Sequence, residues 1–421
     1  MIGFILAAMF TLGTLQAAGP SPSTQSGSVS ESGDELTVYL LTFEPGGLVW
    51  ERFGHNALWI RDRRSGVDWA YDYGRFQFGQ TISGVLRFAG RFAAADLRYS
   101  MGDGDARSYL AGYQRAGRSI WSQELDLPPA ARLALRDFLV WNAKDENKYY
   151  QYHYYLDNCS TRIRDALDRV LAGQLKAWAE STTTQMTYRD HTRRTTENSP
   201  TTYTLLMLGL GQPVDRALSP WEEMFLPIML RPYLNQLTVA DPDGRRHPLV
   251  REERHLVESN RFSVQDRPSN WTLRYLVVGS VFGGILVGLG RLGRRSLGGR
   301  LGFGVVSVGW AAGSGLGGVV LVLLWALSDH RFSYWNENVL QLNLAAMALA
   351  LVLPRAIWRG QARYGQGVRL AAVMAASSAL GLILKVLPQM GQNNLEMIAL
   401  ILPAHLGVWL GLRALGPGPS A

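Results

Sequence analysis

The chain of 421 residues contains a single cysteine, Cys159, and few charged residues for its length. One cysteine excludes an intramolecular disulfide scaffold and a cysteine-rich metal module. Charged residues make up 18% of the sequence, where a soluble domain carries about 25%. Apolar residues make up 47%. This balance predicts a water-soluble part joined to a membrane part.

The net charge of +8 is not spread evenly along the chain. Residues 271–421 contain 12 Lys and Arg but only three acidic residues, whereas residues 1–270 contain 30 basic and 31 acidic residues. The excess of positive charge therefore lies in the apolar half of the sequence. Its placement there predicts membrane topology and argues against nucleic-acid binding.

The first 35 residues do not resemble a folded domain. Residues 2–18 are apolar but too short for a comfortable membrane span, and Ala17 and Ala18 provide small residues at their end. We expect residues 1–18 to be a signal peptide or an anchor. Residues 19–35, rich in Pro, Ser and Gly, are expected to form a flexible linker.

Residues 36–235 have the pattern of a globular domain. The segment 36–43 (LTVYLLTF) predicts a buried strand, and 55–62 with 67–74 predicts a hairpin. Two helices are expected from the period of the apolar residues, and they cover 128–143 and 160–173. After this domain, residues 236–271 predict a polar connector, with a hairpin over 237–260 around the turn DPDG.

Residues 272–414 predict a membrane domain. It contains five apolar segments that are long enough to cross a bilayer: 273–290, 302–327, 338–354, 370–388 and 396–412. The loops 291–301 and 355–369 hold eight arginines, while the alternate loops hold Arg331 as their only basic residue. This asymmetry predicts that the two arginine-rich loops are cytoplasmic and that the N-terminal domain is outside, in the periplasm.

Cys159 lies in a sequence that is typical of a helix start. Asp157, Asn158, Ser160 and Thr161 are capping residue types, and the amphipathic helix follows them directly. The N–H groups and the positive dipole end of a helix stabilise an anion, so this position favours the nucleophilic thiolate. The alternatives for a lone cysteine are a buried packing residue and an intermolecular partner.

A thiolate nucleophile needs a base, and His55 is the favoured one of five histidines in the soluble part. His55 follows Gly54 at the start of a predicted core strand, where a satisfied core histidine is the alternative. His153 lies six residues before Cys159 and either contributes to the site or packs elsewhere. The three others are expected to be solvated: His191, His247 and His255. No pair of histidines has the spacing of a helical zinc site, so no metal is expected.

Asp72 is the candidate for the third member of the site. It lies between two tyrosines on the predicted strand that follows His55. Such an acid can orient the imidazole. It can equally form an ion pair with Arg75 or another arginine, and the sequence leaves both interpretations open.

Three segments together resemble a known family. They are 54–58 (GHNAL), 71–76 (YDYGRF) and 154–165 (YYLDNCSTRIRD), of which the last is the most specific. They are similar to the periplasmic domain of the Lnb-type lipoprotein N-acyltransferase family, over about residues 36–235. The order of histidine before cysteine also resembles the circularly permuted papain-like (NlpC-like) α+β fold.

The resemblance implies a thiol acyltransferase of the inner membrane that needs no cofactor. His55 would deprotonate Cys159, and the thiolate would take an acyl chain from a phospholipid. The thioester would then pass this chain to the N-terminal amine of a lipoprotein. Further residues expected around the site are Asp157, Asn158, Arg162, His153, Tyr154 and Tyr73.

Polar residues at the outer ends of the predicted spans are candidates for binding a lipid headgroup or a lipoprotein backbone. They are His330, Asn336, Asn338, Asn393 and Asn394. The alternative is polar contact between helices.

Two other functions fit parts of the sequence. A thiol peptidase or amidase that acts on cell-wall peptide would use the same Cys159 and His55, but it needs one anchor rather than five spans. A non-catalytic envelope sensor would instead have a buried and unreactive cysteine.

Overall fold

In the computed structural model, the described residues are 31–76, 96–181, 183–259, 261, 263–358 and 360–417, with single positions between 83 and 94. The predicted signal peptide or anchor and most of the predicted linker lie outside them. The chain divides into two compact units. The N-terminal unit comprises the residues up to Thr195 and Ala217–Asp266. The helical unit comprises Thr196–Arg216 and the chain from Arg267 onward.

The N-terminal unit is built around an antiparallel sheet of seven strands. The strands of the chain are β1 (Leu36–Phe43), β2 (His55–Asp62), β3 (Val67–Arg75), β4 (Arg98–Asp105), β5 (Ile120–Leu125), β6 (Tyr149–Gln151), β7 (Thr238–Ala240), β8 (Arg246–Pro248) and β9 (Val250–Val257). Their order in the large sheet is β6-β4-β3-β2-β1-β5-β9, and β7 pairs with β8. The predicted strand 36–43 and the predicted hairpin are therefore confirmed.

Helices lie between and after these strands. They are α1 (Ala106–Arg115), α2 (Pro129–Asn142), α3 (Cys159–Val170), α4 (Gln174–Glu180), α5 (Tyr188–Thr196), α6 (Pro200–Gly209), α7 (Pro220–Glu223) and α8 (Pro227–Gln236). Short 3-10 turns lie at Val49–Glu51 and Gln212–Asp215. The two predicted helices are confirmed as α2 and α3, so the N-terminal part of the chain is a mixed α/β structure.

The inner strand β1 is buried on both faces, which explains its largely apolar sequence. Val38 and Leu40 pack into the core to which helices α2, α3 and α8 contribute. Leu41 and Phe43 point to the opposite face, where side chains of α1 cover them. Helix α3 packs on the sheet through its apolar stripe, which includes Ile163.

The connector after the domain differs from its prediction in one respect. The hairpin around residues 241–244 is present as β7 and β8. The third strand, β9, does not stay in a separate hairpin but pairs with β5 at the edge of the large sheet. Its sequence VREERHLV is strongly charged, and charge of this kind protects an edge strand from pairing with other chains.

The helical unit contains the five predicted spans. Its long helices are α9 (Thr272–Gly293), α10 (Leu297–Leu327), α11 (Leu344–Trp358), α12 (Gly360–Ile383) and α13 (Leu395–Leu415), with 3-10 turns at Arg331–Ser333, Glu337–Leu340 and Leu384–Val386. Five segments within the described residues are long and apolar enough to cross a membrane. The prediction of five spans is therefore confirmed at the level of length and composition.

Glycines allow two of these helices to pack at very close range. A β-carbon added at Gly283 of α9 would lie 2.4 Å from the carbonyl oxygen of Pro403, and one added at Gly407 of α13 would lie 2.4 Å from the Cα of Gly283. Neither position has room for a larger residue. Packing through small residues is typical of membrane helices, which have no hydrophobic effect to hold them together in lipid.

Candidate active site

Helix α3 begins at Cys159, within one residue of its predicted start. The preceding residue, Asn158, is the N-cap, and its Oδ1 accepts hydrogen bonds from the backbone N–H groups of Ser160 (2.9 Å) and Thr161 (3.0 Å). The thiol therefore lies in the first turn of an α-helix, where the positive end of the dipole favours the thiolate.

Asn158 also fixes the helix start to its surroundings. Its Nδ2 donates to the carbonyl oxygens of Tyr154 (2.9 Å) and Phe225 (3.1 Å). The side chain is buried, and all of these bonds are therefore shielded from water. Asn158 thus holds the start of α3, and with it Cys159, in place.

We expect the substitution Asn158→Ala to lower the free energy of unfolding of the N-terminal unit by about 2–4 kcal/mol, from a lost cap and two lost hydrogen bonds. Asn158→Ser keeps a capping oxygen and should lose about half of that amount. Urea unfolding of the full chain, followed by tryptophan fluorescence, measures both. If both variants are as stable as the unsubstituted protein, the cap contributes nothing.

The hairpin of β2 and β3 brings His55 and Asp72 together. His55 opens β2 opposite Phe43, and Asp72 lies on β3 opposite Ala57, two residues along β2 from His55. Since side chains two residues apart point to the same face of a sheet, the two side chains meet. The Nε2 atom of His55 lies 3.0 Å from Oδ2 of Asp72.

Asp72 also has two partners on its other oxygen. Its Oδ1 accepts hydrogen bonds from Nε of Arg75 (3.1 Å) and from the hydroxyl of Tyr109 (2.9 Å). The two contacts that the sequence left open are thus both present, because the carboxylate contacts the imidazole and forms an ion pair with Arg75. These partners compensate the buried charge and hold the carboxylate in one orientation.

Gly74 leaves the space in which His55 and Cys159 meet. A β-carbon added at Gly74 would lie 3.6 Å from Cβ of Cys159 and 4.0 Å from Cε1 of His55. Gly74 has a φ of +102° at an irregularity of the β3–β4 pairing, a backbone conformation that favours glycine. The Cys159 side chain interacts electrostatically with the imidazole. Because Asp72 occupies Nε2, the nitrogen left for the sulfur is Nδ1.

The surroundings of His55 favour its protonated form. Burial opposes the charged imidazole, but interactions with Tyr113, with the Cys159 sulfur and with Asp72 together raise the pKa of His55 well above its ordinary value. An imidazolium beside a sulfur is the partner that a thiolate needs. The arrangement is thus capable of holding a thiolate–imidazolium pair.

Tyr113, which lies beside His55, and Arg118, which lies beside Tyr113, have no recognisable signal in the sequence. The ring of Tyr113 stacks on Phe43 with a centroid distance of 3.7 Å, and it lies 6.1 Å from the ring of His55. The guanidinium of Arg118, which is 4% exposed, lies 4.7 Å from the Tyr113 ring. Tyr113 lies within α1 and Arg118 just after it, outside every motif of the site, so only the fold brings them there.

Asp157 and Arg162 form a bidentate ion pair across the first turn of α3. Nε and Nη2 of Arg162 lie 2.5 and 2.6 Å from the two carboxylate oxygens. The guanidinium also lies over the ring of Tyr150, 4.2 Å from its centroid. The pair therefore connects the helix that carries Cys159 to the edge strand β6.

The other residues expected at the site have structural contacts. The hydroxyl of Tyr73 donates to Asn142 (2.6 Å) in the core. Nδ1 of His153 accepts from the N–H groups of Tyr155 and Leu156, both at 3.2 Å, and so stabilises the turn before α3. The ring of Tyr154 packs against that of His153 at 4.7 Å.

The prediction that His191 is solvated is wrong. His191 lies in α5 and is fully buried, with Nε2 3.1 Å from Oε1 of Glu223. Although the segment around His191 is polar, the imidazole contacts the carboxylate of Glu223 rather than water. Thr184 and Tyr233 donate hydrogen bonds to the same carboxylate. A buried contact between the imidazole and a carboxylate therefore replaces the water that the polar sequence suggested.

The two other histidines lie near the edge of the unit. His255 is exposed, as the sequence predicts. His247 is partly exposed, and its Nε2 lies 3.2 Å from Oδ1 of Asp241. Among the residues that the structure describes, no group of three His, Cys, Asp or Glu side chains is placed to hold a metal ion.

Within the helical unit, the outer polar residues bind the segment 196–216. Nδ2 of Asn336 donates to the carbonyl oxygens of Leu208 (2.8 Å) and Gly209 (3.0 Å), and Nδ2 of Asn338 to those of Met207 (3.0 Å) and Leu208 (3.1 Å). These are terminal carbonyls of α6, which have no partner inside their own helix. The contacts explain why this segment groups with the helical unit.

The remaining outer candidates complete this arrangement. Nδ2 of Asn394 donates to Oδ1 of Asn338 (2.8 Å), and the backbone N–H of Asn393 donates to Asp215 (3.1 Å). The carbonyl of His330 accepts from the hydroxyl of Ser333 (2.7 Å). The contacts of Asn393 and Asn394 are polar contacts between segments, which the sequence left as the alternative to substrate binding, whereas that of His330 lies within one turn.

Comparison with known proteins identifies the N-terminal part of the chain. Residues 29–194, less than half of the chain, match the family model of the Lnb N-terminal periplasmic domain. No curated protein and no solved structure was found to match. With five helices able to cross a membrane, the chain is a membrane protein with a periplasmic N-terminal domain, and residues 29–194 match the Lnb domain that its motifs predict.

Proposed function

We propose that this protein is a membrane-bound cysteine acyltransferase. It moves an acyl chain from a phospholipid, through a thioester on Cys159, to the N-terminal amine of a lipoprotein. The single observation that carries this proposal is the arrangement of Cys159 at a helix start, beside His55, whose Nε2 lies 3.0 Å from Oδ2 of Asp72.

In the first half-reaction, the Cys159 thiolate attacks an ester carbonyl of the phospholipid. A carbon–sulfur bond forms, and the ester carbon–oxygen bond then breaks. The departing alkoxide takes the proton from the His55 imidazolium, so a lysophospholipid leaves and the imidazole becomes neutral. Asp72 keeps the ring oriented throughout, because it holds Nε2.

In the second half-reaction, the neutral imidazole acts as a base. It accepts a proton from the lipoprotein amine while this amine attacks the thioester carbonyl. The carbon–sulfur bond breaks, and the Cys159 thiolate and the imidazolium are restored. No cofactor is consumed, since the acyl group passes from ester to thioester to amide without any change of oxidation state.

The order of the residues in the chain supports a permuted papain-like fold. His55 and Asp72 lie on strands that precede the helix of Cys159. We further propose that the protein lies in the inner membrane, with loops 291–301 and 355–369 on the cytoplasmic side. Both substrates are membrane-anchored, and an enzyme held at the bilayer avoids extracting an acyl chain, which costs about 0.8 kcal/mol per CH₂.

The test is a reaction in mixed micelles. The purified full-length protein is incubated with phospholipid and a synthetic lipopeptide that has a free N-terminal amine. We expect N-acylated lipopeptide and lysophospholipid to form in equal amounts, as detected by mass spectrometry. The same product is expected on lipoproteins in cells that lack other N-acyltransferases.

The rival functions give different products in the same experiment. A hydrolase releases free fatty acid without acylating the lipopeptide, and a wall peptidase releases peptide from added cell-wall fragments. A sensor produces none of these. Any of these results in place of the acylated lipopeptide would overturn the proposal.

A further inference from the structure

The hydroxyl of Tyr150 is a buried polar group without a partner. Tyr150 lies on the edge strand β6 and is 7% exposed. Within the part of the chain that the structure describes, its hydroxyl has no hydrogen-bond partner. Leaving such a group unpaired costs stability, so an unpaired hydroxyl beside a reactive group points to a role in the reaction.

Tyr150 lies in the immediate surroundings of Cys159. The two residues pack in the same core cluster, in which the ring of Tyr73 meets that of Tyr150 edge-on at 6.0 Å. Burial, and next the electrostatic interaction with Cys159, raise the pKa of Tyr150 well above its ordinary value. The hydroxyl therefore keeps its proton at neutral pH and remains a donor.

Residues that flank Cys159 hold the Tyr150 ring in place. The guanidinium of Arg162 lies 4.2 Å from the ring centroid, and Asp157 holds this guanidinium with two hydrogen bonds. A cation over the face of a ring is attracted by the ring's quadrupole. Asp157 and Arg162 thus position Tyr150 relative to the helix that carries Cys159.

The backbone N–H of Cys159 is a second available donor. Asn158 accepts hydrogen bonds from the N–H groups of Ser160 and Thr161. The N–H of the first helical residue has no acceptor within its own helix. A donor of this kind lies next to any carbonyl that the sulfur attacks.

We propose that the Tyr150 hydroxyl and the Cys159 N–H form the oxyanion-binding site of the acyl-transfer reaction. This inference rests on the proposed function. When the thiolate adds to the ester carbonyl, the carbonyl π bond breaks and its electron pair moves to the oxygen. The two donors bind this oxyanion until the pair returns, the carbon–oxygen ester bond breaks, and His55 protonates the leaving alkoxide. The same donors bind the second oxyanion when the amine attacks the thioester.

Tyr150→Phe tests this assignment in the full-length protein, with Tyr149→Phe as the matched control. Tyr149 lies on the same strand and is 47% exposed. Removing one oxyanion donor lowers a rate about 10²- to 10³-fold, so we expect this loss in the rate of Cys159 acylation by phospholipid for Tyr150→Phe only. Alkylation of Cys159 by iodoacetamide forms no oxyanion, and its rate should be unchanged in both variants.

The outcomes distinguish a failure of this assignment from a failure of the proposed function. An unchanged acylation rate in Tyr150→Phe, with a normally acylated unsubstituted protein, would overturn the oxyanion assignment alone. An equal fall in acylation and alkylation would also overturn it, because Tyr150 would then act on the thiolate or on the fold. If the unsubstituted protein reacts with iodoacetamide but never with phospholipid, the proposed function itself fails.

Discussion

Replacing Cys159 with alanine is expected to lower the rate of acyl transfer about 10⁴-fold or more. Cys159 is the only cysteine in the chain, so no second thiol can form the thioester. The measurement is the release of lysophospholipid from mixed micelles that contain the lipopeptide acceptor.

The control for this substitution is the fold of the variant. Cys159 is only partly buried, and the cap of α3 is made by Asn158 rather than by the thiol. The thermal unfolding of Cys159→Ala should therefore stay close to that of the unsubstituted protein. Lysophospholipid release at an unchanged rate by a folded Cys159→Ala protein would exclude the thioester mechanism.

The substitution His55→Gln should lower the rate of Cys159 acylation about 10²- to 10⁴-fold, the usual contribution of a general acid–base group. Glutamine has a similar size but cannot hold or transfer the proton. His255→Gln is the matched control, because His255 is exposed and stacks on Trp121 at 3.9 Å in the same sheet. Equal rates in the two variants would show that His55 is a packing residue.

The raised pKa of His55 adds a dependence of stability on pH. In the folded state the pKa of His55 lies above its value of about 6.5 in the unfolded chain, so the folded state binds the proton more tightly. The stabilisation is present below about pH 6.5 and is lost as the pH rises through the folded pKa. In thermal unfolding measurements, the Tm of the unsubstituted protein should therefore exceed that of His55→Gln most at about pH 6, and by less at alkaline pH. A difference in Tm that does not change with pH would contradict this assignment of the proton.

The local parts of the site can be predicted from sequence because each is encoded in a short segment. The cap before Cys159 is read from the residue types of 157–161, and β1 is read from its largely apolar run. The hairpin places His55 and Asp72 on strands whose period of two sets which side chains share a face. None of these steps needs information from a distant part of the chain.

The parts that escape prediction depend on contacts between distant segments. Tyr113 reaches His55, and Arg118 reaches Tyr113, only because β5 pairs with β1 and α1 covers Phe43. The burial of His191 depends on Glu223, 32 positions later. A polar segment is predicted to be exposed to water unless the residue that pairs with its buried side chain is also known.

The outer polar residues of the helical unit show the same limit. Asn336 and Asn338 bind carbonyls of α6 that lie 128 and 131 positions earlier in the chain. The sequence marks these asparagines as unusual at the ends of apolar segments, but it does not show which backbone groups they satisfy.

The most direct test of the central claim is to isolate the acyl-enzyme. The unsubstituted full-length protein is mixed with phospholipid in the absence of any amine acceptor, quenched in acid and digested for mass spectrometry. We predict one acyl chain on the peptide that contains Cys159, removable by neutral hydroxylamine as a thioester is. A protein that consumes phospholipid while Cys159 stays unmodified, or that carries the chain on another residue, would contradict the account.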